Sequence, residues 1–328
     1  MMRLTILALA LLGGASAKLF TLDKANNEAM WLEFKNTFDK SYETVDEERL
    51  RREIFVSNLA IADNRNVMEA HAGGSAVHGI TKFMDMSSQE FADQYLTAKK
   101  TGESNATKAP RLPTFGASIS QDWTGVYTTD VKDQGYCGSC WAFSATEQIE
   151  SDTMRTLDTT YVLSPAQVAQ CDQTSFGCGG GWTERAYTYV SRTGGIETDS
   201  DYPYPTTMYY GTTGSCSSKS ADYKVTVDEY YTVSGESQMA SYVGSTGPLS
   251  VCLDASSWST YTSGILKVCG DSVDHCVQAV GVDTSGGYWK VRNSWGTSWG
   301  EDGFIRLAYG SNTCDITNDP TYVDVSLV

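Results

Sequence analysis

The chain has 328 residues, 41% hydrophobic and 20% charged, with only 7 Pro; this is enough length for two ordinary cores and excludes a disordered or low-complexity protein. The formal net charge of -16 is unevenly spread: residues 117–328 carry 10 Lys and Arg against 25 Asp and Glu, whereas residues 18–116 carry 13 against 15. So acidic a C-terminal part excludes nucleic acid and anionic lipid as partners.

Arg3, the apolar run Leu4 to Leu12 and the small residues Ala15-Ser16-Ala17 predict a signal peptide over residues 1–17, since the run falls short of the roughly 20 apolar residues needed to span a bilayer. No later segment is long and apolar enough to span. The expectation is a soluble protein of the secretory pathway, working either in a lysosome-like vesicle or outside the cell. From about Ala25 to Ala70, Met30, Phe34, Phe38, Leu50, Ile54 and Leu59 recur at helical spacing among many charges, which predicts an amphipathic helical module. Further on, Ser87 and Glu90 have the spacing of a capping box and predict a third helix.

Residues 97–116 are rich in Lys, Thr, Pro, Gly and Ser; they read as an exposed linker of the kind proteases cut. Asn105-Ala106-Thr107 is the one Asn-x-Ser/Thr glycosylation sequon, and Asn105 is either modified there or a chance match. Beyond the linker, Ser139 to Leu157 reads as a helix. Tyr223 to Val233, Leu249 to Leu253, Val277 to Val282, Tyr288 to Asn293 and Gly303 to Leu307 read as strands separated by Gly and Ser turns. The class is α+β.

All nine Cys lie between Cys137 and Cys314. In a secreted chain such clustering predicts disulfides, and the odd count leaves at least one thiol unpaired. Of three His, His71 and His78 fall in the N-terminal module, so His275 alone can supply an imidazole to the acidic part. Cys140 opens the predicted helix in Gln134-Gly135-Tyr136-Cys137-Gly138-Ser139-Cys140-Trp141. Free N–H groups and the helix dipole favour an anion there, and a protonated imidazole beside it would further lower the thiol pKa.

This segment resembles the signature around the nucleophile of papain- and cathepsin L-like cysteine proteases, with His275 in Val273-Asp274-His275-Cys276 and Asn293 in Asn293-Ser294-Trp295-Gly296 at the expected distances. The resemblance implies a precursor of a cysteine endopeptidase. Cys140 is then the nucleophile, paired as thiolate with the His275 imidazolium. Asn293 orients the ring, Trp295 shields that contact, and Gln134 donates to the oxyanion. The N-terminal module is similar to the family's inhibitory propeptide: Glu47, Arg51, Phe55, Asn58 and Asn66 match its long-helix motif, and Gly79, Phe83 and Asp85 its second motif. Ala62 stands where Ile is usual and Thr81 where Asn is common.

The implied architecture is a two-domain papain-like fold with a helical left and a β-barrel-like right domain. The implied segments are a propeptide over 18–96, a processing linker over 97–116 and a mature enzyme over 117–328. Partners are protein or peptide substrates and the chain's own propeptide as intramolecular inhibitor; no cofactor, metal or nucleic acid is expected, and a monomer is. The family's disulfides would be Cys137–Cys178, Cys171–Cys216 and Cys269–Cys314. Cys252 and Cys276 remain, either as a fourth bridge or as two buried thiols. Both would line the second specificity pocket with Trp182, Thr183, Val273 and Asp274, while Gly180 and Gly181 pair with substrate backbone. Asp319 matches the pocket floor; it either selects a basic side chain or is a solvated Asp before Pro320. Nothing like a long His-bearing insertion occurs between Cys216 and Cys269, so internal cleavage is expected.

Two rival readings compete. Cys137-Gly138-Ser139-Cys140 has the C-x-x-C form of a thiol-disulfide oxidoreductase, but that reading leaves His275 and Asn293 without a role. A structural zinc site of Cys137, Cys140, Cys171 and Cys178 would require reduced thiols, against the oxidising compartment.

Overall fold

The computed structural model describes residues 20, 26–100, 104–113 and 118–328; the expected signal peptide and both ends of the expected mature boundary at 116/117 lie outside the described residues. Two helices precede the expected third one. Helix α1 (Asn27–Thr37) and helix α2 (Val45–Ala72) are separated by a turn in which Asp39 adopts φ 50. The Thr44 side chain then accepts from Glu47 N–H, and Asp46, Glu47 and Glu48 crowd the first turn, so a cap and a favourable dipole restart the helix. Gly73, at φ 66, ends it. Trp31, Phe34, Phe55, Leu59 and Met84 form a small aromatic core.

Strand β1 (Val77–His78) and helix α3 (Ser88–Tyr95) complete the module. The reciprocal Ser87–Glu90 capping box starts α3. Asn58 Nδ2 donates to the carbonyls of Met84 and Met86 at 2.9 and 2.8 Å. Arg51 bonds both Glu90 oxygens at 2.8 Å. Asp85 accepts from Lys40 and from Tyr42 Oη, both at 2.9 Å. Ala62 is fully buried and Thr81 Oγ1 donates to Ser259 O, so both departures from the family pattern are accommodated.

The C-terminal part has two lobes. In the first, helix α4 (Cys140–Leu157) is the central rod, packed by α5 (Pro165–Cys171), α6 (Thr183–Thr193) and the short α7 (Thr206–Tyr209). Around the second lobe winds a nine-stranded sheet. Its strands are β2 (Thr107–Lys108), β3 (Ser120–Asp122), β4 (Val225–Thr232), β5 (Leu249–Leu253), β7 (Ile265–Leu266), β8 (His275–Asp283), β9 (Tyr288–Arg292), β10 (Phe304–Ala308) and β11 (Thr321–Leu327). Helix α8 (Glu236–Ser245) packs on it, and β6 (Tyr261–Ser263) pairs with β1 of the N-terminal module. Strand β11 was not expected from sequence, although Thr321, Val323 and Val325 alternate inward.

Four disulfides join Cys137–Cys178, Cys171–Cys216, Cys252–Cys276 and Cys269–Cys314. Cys252 and Cys276 are direct partners across β5 and β8, and their Cα atoms are 4.0 Å apart, so register alone brings them within bonding reach. Cys137 is bonded to Cys178 and not to Cys140, which removes both the oxidoreductase pair Cys137/Cys140 and the four-cysteine zinc site. Among the described residues no cluster of His, Cys, Asp and Glu could hold a metal, and no helix is long and apolar enough to cross a membrane.

The linker reading is corrected at its start. Thr97 and Ala98 are buried, because Thr97 Oγ1 donates to Gly138 O at 2.9 Å, Ala98 N to Asp274 O at 2.9 Å and Lys99 N to Gly181 O at 3.0 Å. Residues 107–108 pair with β4 instead of hanging free. Asn105 is exposed.

Candidate active site

Cys140 begins α4 and is the one cysteine without a disulfide. His275 begins β8 on the other lobe, and Asn293 follows β9. His275 Nε2 lies 2.8 Å from Asn293 Oδ1, which also accepts from Ser294 N at 2.8 Å. An oxygen already engaged as an acceptor requires the ring proton on Nε2, which leaves Nδ1 with a lone pair. That Nδ1 is buried and has no hydrogen bond. Trp295 packs on the ring with centroids 4.8 Å apart, and Trp258 meets it edge-on at 6.0 Å.

Gln134 is fully buried. Its Oε1 accepts from Ser294 Oγ at 2.7 Å and its Nε2 donates to Cys137 O at 2.8 Å, so the amide orientation is set from both ends. Sequence reasoning did not single out Ser294, which touches both Gln134 and Asn293. Its position between Asn293 and Trp295 was the available signal.

With the propeptide in place, burial opposes the charge separation expected of a thiolate-imidazolium pair. Burial pushes the Cys140 thiol up to about 11, although the N–H groups of Cys276 and Trp141 act to lower it. Burial also pushes His275 down to about 4, against the opposing effects of Asn293 and of the Tyr95 backbone. In the covered state burial acts against the charged form of both groups, opposing the helix start. Tyr95 and Thr97 are the covering residues, and sequence reasoning missed both.

Along the cleft, Gly180 holds φ 109, and a Cβ there would stand 2.0 Å from Thr97 O; only glycine lets the covering strand approach so closely. Trp182 Nε1 donates to Asp319 Oδ2 at 2.6 Å. Asp319 is thus buried and engaged, not solvated. Lys100 Nζ lies 3.4 Å from Asp319 Oδ1 and 5.4 Å from the centre of the Trp182 ring. Beside them Glu184, also missed, accepts from Ser104 Oγ at 2.6 Å; burial and neighbouring Asp319 raise its pKa. Thr183 Oγ1 contacts Cys252 Sγ at 3.9 Å. Val273 packs half-buried against the same cluster. Asp274 turns its carboxylate to Ala255 N at 2.8 Å, and burial, with Asp254 adding, pushes it up to about 7.

Known proteins resemble this chain along nearly its whole length. Residues 117–324 match the family model described as papain family cysteine protease, and residues 31–91 the cathepsin propeptide inhibitor domain (I29). Digestive cysteine proteinase 1 of Homarus americanus is 36% identical over 94% of this chain and 98% of its own. Cysteine proteinase 1 of Dictyostelium discoideum is 35% identical over 92% and 93%. Among solved structures, digestive procathepsin L2 proteinase from Tenebrio molitor larval midgut superposes with a TM-score of 0.81 at 29% identity, covering 90% of this chain and 99% of that one.

Proposed function

The chain belongs to the papain family of cysteine proteases and carries an I29 inhibitory propeptide, and from that premise we propose that it is a secreted endopeptidase precursor whose nucleophile is Cys140 and whose acid-base group is His275. The observation that carries this reading is the His275–Asn293 contact at 2.8 Å, which leaves Nδ1 unpartnered in the cleft that also holds the single free cysteine. Residues 1–17 act as signal peptide, 18–96 as propeptide, 97–116 as processing linker and 117–328 as the mature, monomeric enzyme. Contacts from Thr97 to Lys100 favour cleavage beyond residue 100.

Once the propeptide leaves, water and the helix start favour the thiolate, and the Cys140 proton passes to His275 Nδ1. The thiolate sulfur attacks the scissile carbonyl carbon. Its oxygen, now an anion, takes hydrogen bonds from Cys140 N–H and Gln134 Nε2. As the C–N bond breaks, His275 gives its proton to the leaving amine. Water then attacks the thioester while His275 takes its proton, and breaking of the C–S bond releases the acid and restores the thiol. Asn293 keeps Nε2 protonated throughout, so that Nδ1 is the nitrogen that exchanges the proton.

Gly180 and Gly181 hold substrate backbone on the acyl side. Trp182, Thr183, Val273, Asp274 and the Cys252–Cys276 bridge surround the second side chain before the cut, and Asp319 gives that pocket a preference for Lys or Arg. Lys100 sits on Asp319 as a stand-in for such a side chain. The test is labelling with an epoxide-type thiol inhibitor after acid activation. Modification confined to Cys140, with no peptide hydrolysis by Cys140→Ala, is expected; labelling of another residue, or residual hydrolysis by the variant, would overturn the assignment.

A further inference from the structure

The cleft has a second end. Entering from α3, the propeptide places Tyr95 against Trp295 at 5.7 Å and against Tyr136 at 6.3 Å, then passes Cys140 and leaves over Gly181 and Trp182. The Gly181 end takes the acyl side of a substrate. The Trp295 end therefore takes the leaving side, where His275 releases its proton.

Three tyrosines and one carboxylate gather at that leaving end. Tyr136 N donates to Tyr209 O at 2.8 Å, and a Cβ on Gly135, at φ 59, would stand 2.3 Å from the same oxygen. The loop before α4 and the end of α7 are thus locked together, which makes the tyrosine arrangement rigid. Tyr136 and Tyr210 stack at 6.5 Å, and Tyr209 meets Tyr210 edge-on at 5.7 Å. Even with the propeptide in place these rings remain 38%, 68% and 37% exposed for Tyr136, Tyr210 and Tyr209. With Asp133 they form one wall of a cavity of about 470 Å³ whose opposite wall is propeptide, including Phe38, Lys40 and Phe83. One Asp133 oxygen is held by Gly135 N at 3.0 Å, and the other accepts from Lys82 Nζ of the propeptide at 3.0 Å. An ammonium therefore already occupies this carboxylate, on a segment that processing discards.

We propose that Asp133, Tyr136, Tyr209 and Tyr210 form a specificity-determining shelf that selects a long basic side chain, arginine before lysine, among the first residues on the leaving side of the cut bond. This rests on the reading of Cys140 and His275 as the reacting pair. Loss of Lys82 frees a carboxylate oxygen already fixed in direction, and loss of Tyr95 removes its edge-type contact with Tyr136. A guanidinium is planar, so it can pair with Asp133 and lie on a tyrosine ring at once, whereas an ammonium is a point charge. An aromatic side chain would use the rings and leave the carboxylate unanswered.

The test uses the mature enzyme and internally quenched peptides that share one acyl side and carry Arg, Lys, Tyr, Ala or Glu at each of the first three leaving-side positions. At one position Arg should exceed Ala by roughly five- to tenfold in kcat/KM, with Lys between them and Glu below Ala. Asp133→Asn, which keeps an acceptor for Gly135 N, should bring the Arg:Ala ratio down to the Tyr:Ala ratio. Tyr210→Ala should lower it by about half as much on a logarithmic scale. Ratios within one enzyme cancel differences in folded fraction. Equal cleavage of Arg and Ala peptides at all three positions, preference for Tyr over Arg, or an unchanged ratio in Asp133→Asn would each overturn the shelf. A wild-type enzyme that cleaves none of the peptides would overturn the catalytic reading and the shelf with it.

Discussion

The helical propeptide and the catalytic part solve opposite problems. The catalytic part holds most of two large apolar cores, one of them completed by Phe83, Phe91 and Tyr95 of the propeptide, together with all four disulfides and the acidic excess. Its propeptide has a small aromatic core, no cysteine and nearly balanced charge. Contact between the two is polar at many points. Arg65 donates to Ser259 Oγ and Thr260 Oγ1 at 3.0 and 2.8 Å, Glu69 accepts from Lys267 N and Val268 N, and His78 Nδ1 lies 2.9 Å from Thr260 Oγ1. One region is stapled by its disulfides. The other folds around its partner, held by these polar contacts and by Phe83, Phe91 and Tyr95, whose rings pack on Trp295 with centroids 5.2, 5.4 and 5.7 Å away.

Four experiments would break or sharpen that contrast. The largest effect is expected at Cys140 itself: if the propeptide silences it by desolvation, its alkylation by iodoacetamide at pH 7 should rise on the order of 10³-fold on processing, because the thiolate fraction follows the pKa. Equal rates in precursor and mature enzyme would remove desolvation as the cause of latency. Next comes Asn58→Ala, which strips both Met84 and Met86 carbonyls of a buried donor. It should cost about 2–3 kcal/mol, read by hydrogen exchange as faster opening of α2 and α3 with α4 unchanged. Loss of α4 protection to the same degree would mean that the two regions unfold together.

A smaller, graded effect is expected from pH. Burial, with Arg65 adding, lowers His78 from its ordinary 6.5 to about 3, so the released propeptide binds the proton more readily than the docked one. Docking is therefore fully supported by His78 above about 6.5 and weakens as pH falls toward about 3, by up to about tenfold per unit. Glu69 acts in the opposite direction: burial raises its pKa while docked, so acid relieves a penalty there. His78→Gln should flatten the acid side of propeptide affinity measured against pH. An unchanged profile would assign acid release to other groups. Smallest is Asp319→Ala: the ratio of Arg-Arg to Phe-Arg substrate cleavage should fall several-fold, and no fall would make Asp319 a purely structural partner of Trp182.

What could be read from the chain alone was local. The Ser87–Glu90 cap, the start of α4 at Cys140 and the order Cys140, His275, Asn293 depend on residues near each other in sequence or on a spaced motif. Even there the break between α1 and α2 was not placed, because Asp39 in a left-handed turn leaves no mark on apolar periodicity. Only the tertiary structure decided whether Cys252 and Cys276 meet, through the register of β5 with β8. It alone brought Lys100 to Asp319, Tyr95 to Trp295, and Lys82 to Asp133. It also set burial against the charged forms of Cys140 and His275 while the propeptide is in place. A helix start acts on a thiol through its own first turn, whereas desolvation depends on every atom packed around the sulfur, and Thr97 arrives there from 43 residues away.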